Sequence, residues 1–162
     1  MADLDDAGDT ADRDDTDDRG DAPHTGNADL LGHVLLPVAN EDDALSTARA
    51  LEPYDPARVT ALHVVEKGEG VPDKTPVEQS EELAEEAYAA VRTVFPDAGD
   101  HTAYGRDVAG EIFSAAEAVD ASAIVYRSRG GNRIMQMLSG DLSIKLVTDA
   151  DVPVVALPRT ES

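Results

Sequence analysis

The chain has 162 residues, enough for one domain rather than two. Hydrophobic residues make up 41% but aromatics only 4%, so the core has to be built from Val, Leu, Ile and Ala. Thirteen basic residues against 34 acidic ones give a net charge of -21, which excludes non-specific binding to nucleic acid or to an anionic membrane surface.

The acid excess has two sources. Residues 1–29 hold eleven Asp and two Arg, and the remaining 133 residues still carry 23 acids against 11 bases. Only Lys67, Lys74 and Lys145 represent lysine, an acidic composition of the haloarchaeal type that suits a salt-screened cytoplasm. Cysteine is absent, which removes disulfides, thiol nucleophiles and cysteine metal sites. No basic and apolar leader opens the chain and no window of about 18 apolar residues occurs, so a cytoplasmic protein is expected.

Residues 1–28 are rich in Asp and Gly with almost nothing to bury, and are expected to form an acidic, disordered, solvating tail; residues 29–162 form the domain. His33-Val-Leu-Leu-Pro-Val-Ala39 is a continuous apolar run, the pattern of a strand covered on both faces, and Pro37 belongs where pairing stops. Asn40 then caps a helix whose first turn holds Glu41, Asp42 and Asp43 and which Pro53 ends. Arg58 to Glu66 reads as the second strand.

Thr75-Pro-Val-Glu78 opens a long helix with a capping box, and Leu83, Ala87, Ala90, Val91 and Val94 are its inward positions. The polar run His101–Tyr104 fits a strand at a sheet edge. Asp107 is the expected cap of the next helix, with Val108, Ile112, Ala115, Ala116 and Val119 facing in. Ser122–Tyr126 is a buried strand. A last helix from about Ser139 carries the apolar residues Leu142, Ile144, Leu146 and Val147, and Val152–Leu157 is the final strand. Strands alternating with helices predict an α/β fold with one parallel sheet and helices on both faces.

Catalytic signatures are scarce. There is no GxxxxGK[ST], no GxGxxG after the first strand, no HExxH and no GxSxG. The four histidines, at 24, 33, 63 and 101, lack metal-ligand spacing, and His63 in mid-strand reads as a satisfied core histidine.

The stretch Ile124–Leu142, read as strand, glycine-bearing turn and helix start, places Arg127, Arg129 and Arg133 at a junction where backbone N–H groups can hold an anion. With Val34-Leu-Leu-Pro-Val38, Leu62-His-Val-Val-Glu66, Gly105–Ala116 and Val152-Pro-Val-Val-Ala-Leu-Pro158, it resembles the universal stress protein family in order, from about Leu31 to Leu157. The resemblance implies a Rossmann-like sheet of order 3-2-1-4-5, and homodimers through the last strand.

It also implies an adenine-nucleotide site, with ATP or AMP and Mg2+ as candidate ligands. Adenine would lie near Val64 and Val65 and touch Tyr126; ribose and phosphates would lie over Pro37, Ala39, Asn40, Gly130 and Gly140, the latter opening the helix of Leu142. This chain departs from the family's G-x-x-G, nine residues, G-[ST] frame: Gly130 and Gly140 are in register, but Arg127 replaces the first glycine and Asp141 the hydroxyl. Ala39 stands where an acidic residue is usual. The reading that follows is a dimeric, non-enzymatic stress-response module with a degenerate or altered pocket and an unknown protein partner. The alternative is a competent ATP or AMP sensor that uses Arg127–Arg133. No nucleophile or base is arranged for turnover, so ATP hydrolysis would be very slow at most. The edge residues Val152, Val154, Val155 and Leu157 independently suggest a covered last strand.

Overall fold

The computed structural model describes residues 30–67, 77–127 and 140–159. Five parallel strands, β1 (Val34–Pro37), β2 (Val59–Glu66), β3 (Gly99–Gly105), β4 (Ala123–Arg127) and β5 (Val154–Leu157), form one sheet in the order β3-β2-β1-β4-β5. Four helices connect them: α1 (Glu41–Leu51), α2 (Val77–Val94), α3 (Val108–Ala118) and α4 (Gly140–Asp149). Pro53 sits in a 3-10 turn, Glu52–Tyr54, that carries the end of α1 into the loop before β2.

The continuous apolar runs follow from burial on both faces. Val34, Leu36 and Val38 project to the side of α1 and α2, whose Ala44, Leu51, Ala87 and Val91 complete one half of the core. Leu35, Leu62, Val64, Ile124 and Tyr126 project to the opposite side and meet Ile112, Ala115 and Ala116 of α3 and Leu142 and Leu146 of α4. β3 is the polar edge that its composition announces, with only Ala103 buried.

Of the apolar residues that α4 carries, Ile144 and Val147 stay outside the core, each 62% exposed. Leu142 and Leu146, one turn apart, already fill the contact with the sheet, and the rest of the apolar arc of α4 overhangs its margin. Asp107 occupies the N-cap position of α3 with extended backbone but makes no capping hydrogen bond. In α2, Leu83 and Val94 are only half-buried, while Tyr88 is fully buried and donates its hydroxyl to the His101 carbonyl at 2.7 Å. Burial pushes the Tyr88 phenol up to about 12. The proposed cap at Thr75 and Pro76 lies outside the described residues.

Candidate functional site

The strand order turns back between β1 and β4, so their carboxyl ends frame the switch point at which open α/β sheets bind ligands. The local sequence builds one wall. Pro37 ends β1 because it cannot donate to the ladder, and the Val38 amide makes a last bond to the Leu62 carbonyl at 2.8 Å. Asn40 follows in extended conformation and caps α1: its Oδ1 accepts the Asp43 N–H at 2.9 Å. Asp43 reaches back, and its Oδ2 accepts the Ala39 N–H at 2.6 Å. Its Oδ1 accepts the Thr47 hydroxyl at 3.1 Å. The carboxylate is thus buried, at 4% exposure, inside a reciprocal cap.

The cleft beside this turn is lined by Pro37, Val38, Ala39, Asp43, Leu62, Val64, Val108, Ile112 and Leu142. It is apolar apart from Asp43. Among the described residues it leaves about 20 Å³ open to a water-sized sphere, room for water rather than for a purine.

His63 supports the wall from below. It is buried, and its Nδ1 lies 3.2 Å from the Val38 carbonyl; a carbonyl only accepts, so Nδ1 carries the proton. Burial holds the imidazole below its usual range, and the bond to Val38 offsets this only in part. The ring is a satisfied core group, as its mid-strand position suggests.

A larger cavity, about 400 Å³, lies at the amino end of β4 and β5, between Phe113, Glu117, Asp120, Asp151 and Val152. It is at the wrong end of the strands for a switch-point site, and its carboxylates match the general acidity of the chain. Among the described residues no cluster of His, Cys, Asp and Glu has the geometry of a metal centre. No described helix is long and apolar enough to cross a membrane.

Of the residues singled out from sequence, Pro37, Ala39, Val64 and Leu142 line the cleft, and Asn40 holds its turn. Val65 is buried but, one residue on from Val64, faces the other side of the sheet. Tyr126 packs in the same half of the core as Leu142 without lining the cleft. Arg127 ends β4 half-buried, and its Nε is buried with no hydrogen-bond partner among the described residues. Gly140 and Asp141 form the start of α4. Arg129, Gly130 and Arg133 lie outside the described residues.

Val152, Val154 and Val155 are half-buried at the sheet margin. Leu157 is not a surface residue: it is 4% exposed, packed with the α1 and α2 side of the core. Asp43 is the wall residue that sequence reasoning missed. The signal was the Asn40-x-x-Asp43 spacing, read only as a cap followed by favourable first-turn charge.

A five-stranded parallel sheet of order 3-2-1-4-5 flanked by helices is the fold of the adenine-nucleotide α-hydrolase-like class of α/β proteins. Within it, the chain belongs to the universal stress protein family, which matches residues 31–158. A universal stress protein from Archaeoglobus fulgidus has the same fold, with a TM-score of 0.59 at 20% identity over 77% of this chain and 92% of that one. The universal stress protein from Archaeoglobus fulgidus in complex with dAMP gives 0.58 at 20% identity over 76% and 95%. A family protein from Arabidopsis thaliana with AMP bound gives 0.54 at 15% identity over 79% and 92%. No curated protein sequence matches the chain.

Proposed function

We propose that the protein is a non-enzymatic, cytoplasmic stress-response regulator that works as a homodimer and answers to a small adenine nucleotide through an altered pocket. The observation that carries this reading is the apolar cleft at the carboxyl ends of β1 and β2, closed on one side by the Asp43–Ala39 bond. Relatives of the same fold hold dAMP and AMP. Apolar walls with one convergent polar group suit a base and a sugar. Among the described residues that line the cleft there is no Ser, Cys, Lys or His to serve as a nucleophile. Dimerisation is supported by β5, which pairs only with β4 among the described strands and leaves Val154 and Val155 half-buried at an open edge.

A second reading is favoured by Arg127. Its Nε is a buried donor with no acceptor among the described residues, a place an anionic oxygen would fill. On that reading the protein is a competent ATP sensor, with Mg2+ as the counter-ion of the phosphates.

Calorimetry with AMP and ATP in potassium chloride, with and without Mg2+, tests both. The altered-pocket reading expects saturable AMP binding, one nucleotide per protomer, and no turnover of ATP. The ATP-sensor reading expects ATP to bind at least as tightly as AMP. No heat from either nucleotide, with the protein folded, leaves a degenerate pocket and a role in binding another protein.

A further inference from the structure

We infer that His63 is a latch on the wall of this cleft: the neutral ring holds the Val38 carbonyl in place, and uptake of a proton releases it. The inference concerns the wall itself and stands apart from the class of ligand that the cleft takes.

The latch begins where the backbone pairing of β1 stops. Partners along β1 and β2 run from Val34 and Val59 to Pro37 and Leu62, and the Val38 N–H adds one bond to the Leu62 carbonyl. A parallel ladder would next return a β2 backbone N–H to the Val38 carbonyl. Among the described residues that carbonyl takes the His63 Nδ1–H instead, at 3.2 Å. The side chain thus carries the pairing one step further, into the turn whose Val38 and Ala39 line the cleft. Leu62 and Val64 face the α3 side of the sheet, so the His63 ring lies on the other side and acts on the cleft through the Val38 backbone. It is a positioning residue.

The ring has a place for one proton and not for two. Nδ1 carries it in the neutral form, and Nε2 has no hydrogen-bond partner among the described residues. A second proton puts a charge and a further donor on a side chain only 5% exposed. The Val38 carbonyl favours that charge, but burial opposes it more strongly and holds the imidazole below its usual range. The titratable groups around the ring supply no counter-charge. Tyr88 of α2, pushed up to about 12, stays neutral and shares its hydroxyl between the His101 carbonyl and Thr102, the register partner of His63. Glu85 and Asp100 act on that phenol, and Asp43 of α1 is bonded to Ala39 and Thr47. Neither these groups nor His101 alter the balance at His63, which burial and Val38 set.

An open state, in which the ring reaches water, takes the proton at the ordinary value of 6.5, above that of the closed state. The closed wall is therefore favoured in full above pH 6.5. Each unit below shifts the balance toward the open state about tenfold, until the closed ring is itself protonated. His33 differs. Its Nε2 lies 2.8 Å from the Thr60 hydroxyl, which can donate to the neutral ring or accept from the charged one, at the amino end of β1.

The test is amide hydrogen exchange by NMR on the full chain, at pH 7.5 and pH 5.5 in constant potassium chloride, read as protection factors. The Val38 and Ala39 amides, bonded to the Leu62 carbonyl and to Asp43, report the wall, and the Val125 amide in β4 reports the core. Protection at Val38 and Ala39 is expected to lie below that at Val125 and to fall severalfold at pH 5.5, to a limit of about tenfold. In His63→Asn, whose side-chain amide can donate to Val38 without titrating, that fall should vanish, which also separates the ring from Asp43. Protection that does not change in the wild type, or that falls equally in folded His63→Asn, overturns the inference. So does protection equal to that of Val125, because the wall then opens only with the whole fold. Should His63→Asn fail to fold, the wild-type ring resonances decide. A His63 midpoint below pH 6.5 with the neutral proton on Nδ1 upholds the latch, and a midpoint at or above 6.5, or a proton on Nε2, overturns it.

Discussion

The Ala39 amide donates to Asp43 Oδ2 across the β1–α1 turn, and the Asp43 amide donates in return to Asn40. This exchange fixes the path by which the chain leaves the sheet and enters the helix that flanks the cleft. It satisfies two N–H groups that would otherwise be orphaned, and it costs the burial of a carboxylate.

Removing Asp43 should therefore destabilise the fold well beyond a surface change. Asp43→Ala takes the acceptor from Ala39 and the partner from Thr47, and is expected to cost about 1–3 kcal/mol in chemical denaturation. Asp43→Asn keeps an acceptor oxygen in place and should cost less. Equal losses in the two variants would mean that the charge, and not the hydrogen bonding, holds the turn.

Most of the architecture was legible because the chain's patterns are strong. The apolar runs of β1, β2 and β4 could only be buried strands, and the Pro37-to-Asn40 punctuation marked where β1 stops and α1 begins. What sequence could not settle was contact that depends on the third dimension. Ile144 and Val147 fit an inward arc, but how much of α4 the sheet covers depends on where that helix sits over β4 and β5. Tyr88 could have been a solvent-facing tyrosine; the β3 carbonyl of His101 is what draws its hydroxyl inside. Asp43 was legible as an acid in a first turn and not as a buried one, because its burial depends on the Ala39 amide turning toward it.

His63 gives the fold a defined acid sensitivity. Burial lowers its folded pKa below the ordinary value of 6.5, so the unfolded chain binds the proton more readily. The stability it contributes is fully present above pH 6.5 and is lost as the pH falls toward the folded value. His33, also lowered, chiefly by burial and then by Arg58, acts in the same sense from the other end of the sheet. Melting temperature should fall between pH 7.5 and pH 5, and His63→Asn should flatten part of that slope while the His33 share remains. A slope identical to wild type would assign the acid sensitivity elsewhere.

Asp120 offers a stabilising change. α3 ends in a Schellman arrangement, in which the Ala121 amide donates to the Ala116 carbonyl at 2.8 Å and the Asp120 amide to the Glu117 carbonyl at 3.1 Å. That places Asp120 at a φ of 56°, a left-handed conformation that costs a side-chain-bearing residue. Asp120→Gly relieves the strain and should raise stability by roughly 0.5–1 kcal/mol, net of the greater freedom of the unfolded chain. Denaturation midpoints at constant slope would measure it; a loss of stability would show that the Asp120 carboxylate contributes more than its backbone costs.

The homodimer is best tested on the backbone of β5. The Ile124 amide bonds to the Pro153 carbonyl at 2.9 Å, and β5 runs parallel to β4 from there. By the alternation of a parallel ladder, the N–H groups of Val155 and Leu157 then face β4 while those of Val154 and Ala156 face the open edge. Ala156 is exposed, so Ala156→Pro removes an outward donor without touching the bonds inside the protomer. Light scattering should find the wild-type chain dimeric and the variant monomeric, with a melting temperature lowered by no more than the loss of the interface requires. A variant that stays dimeric would place the contact away from this edge, and the exposed Ile144 and Val147 on α4 would become the surface to change next.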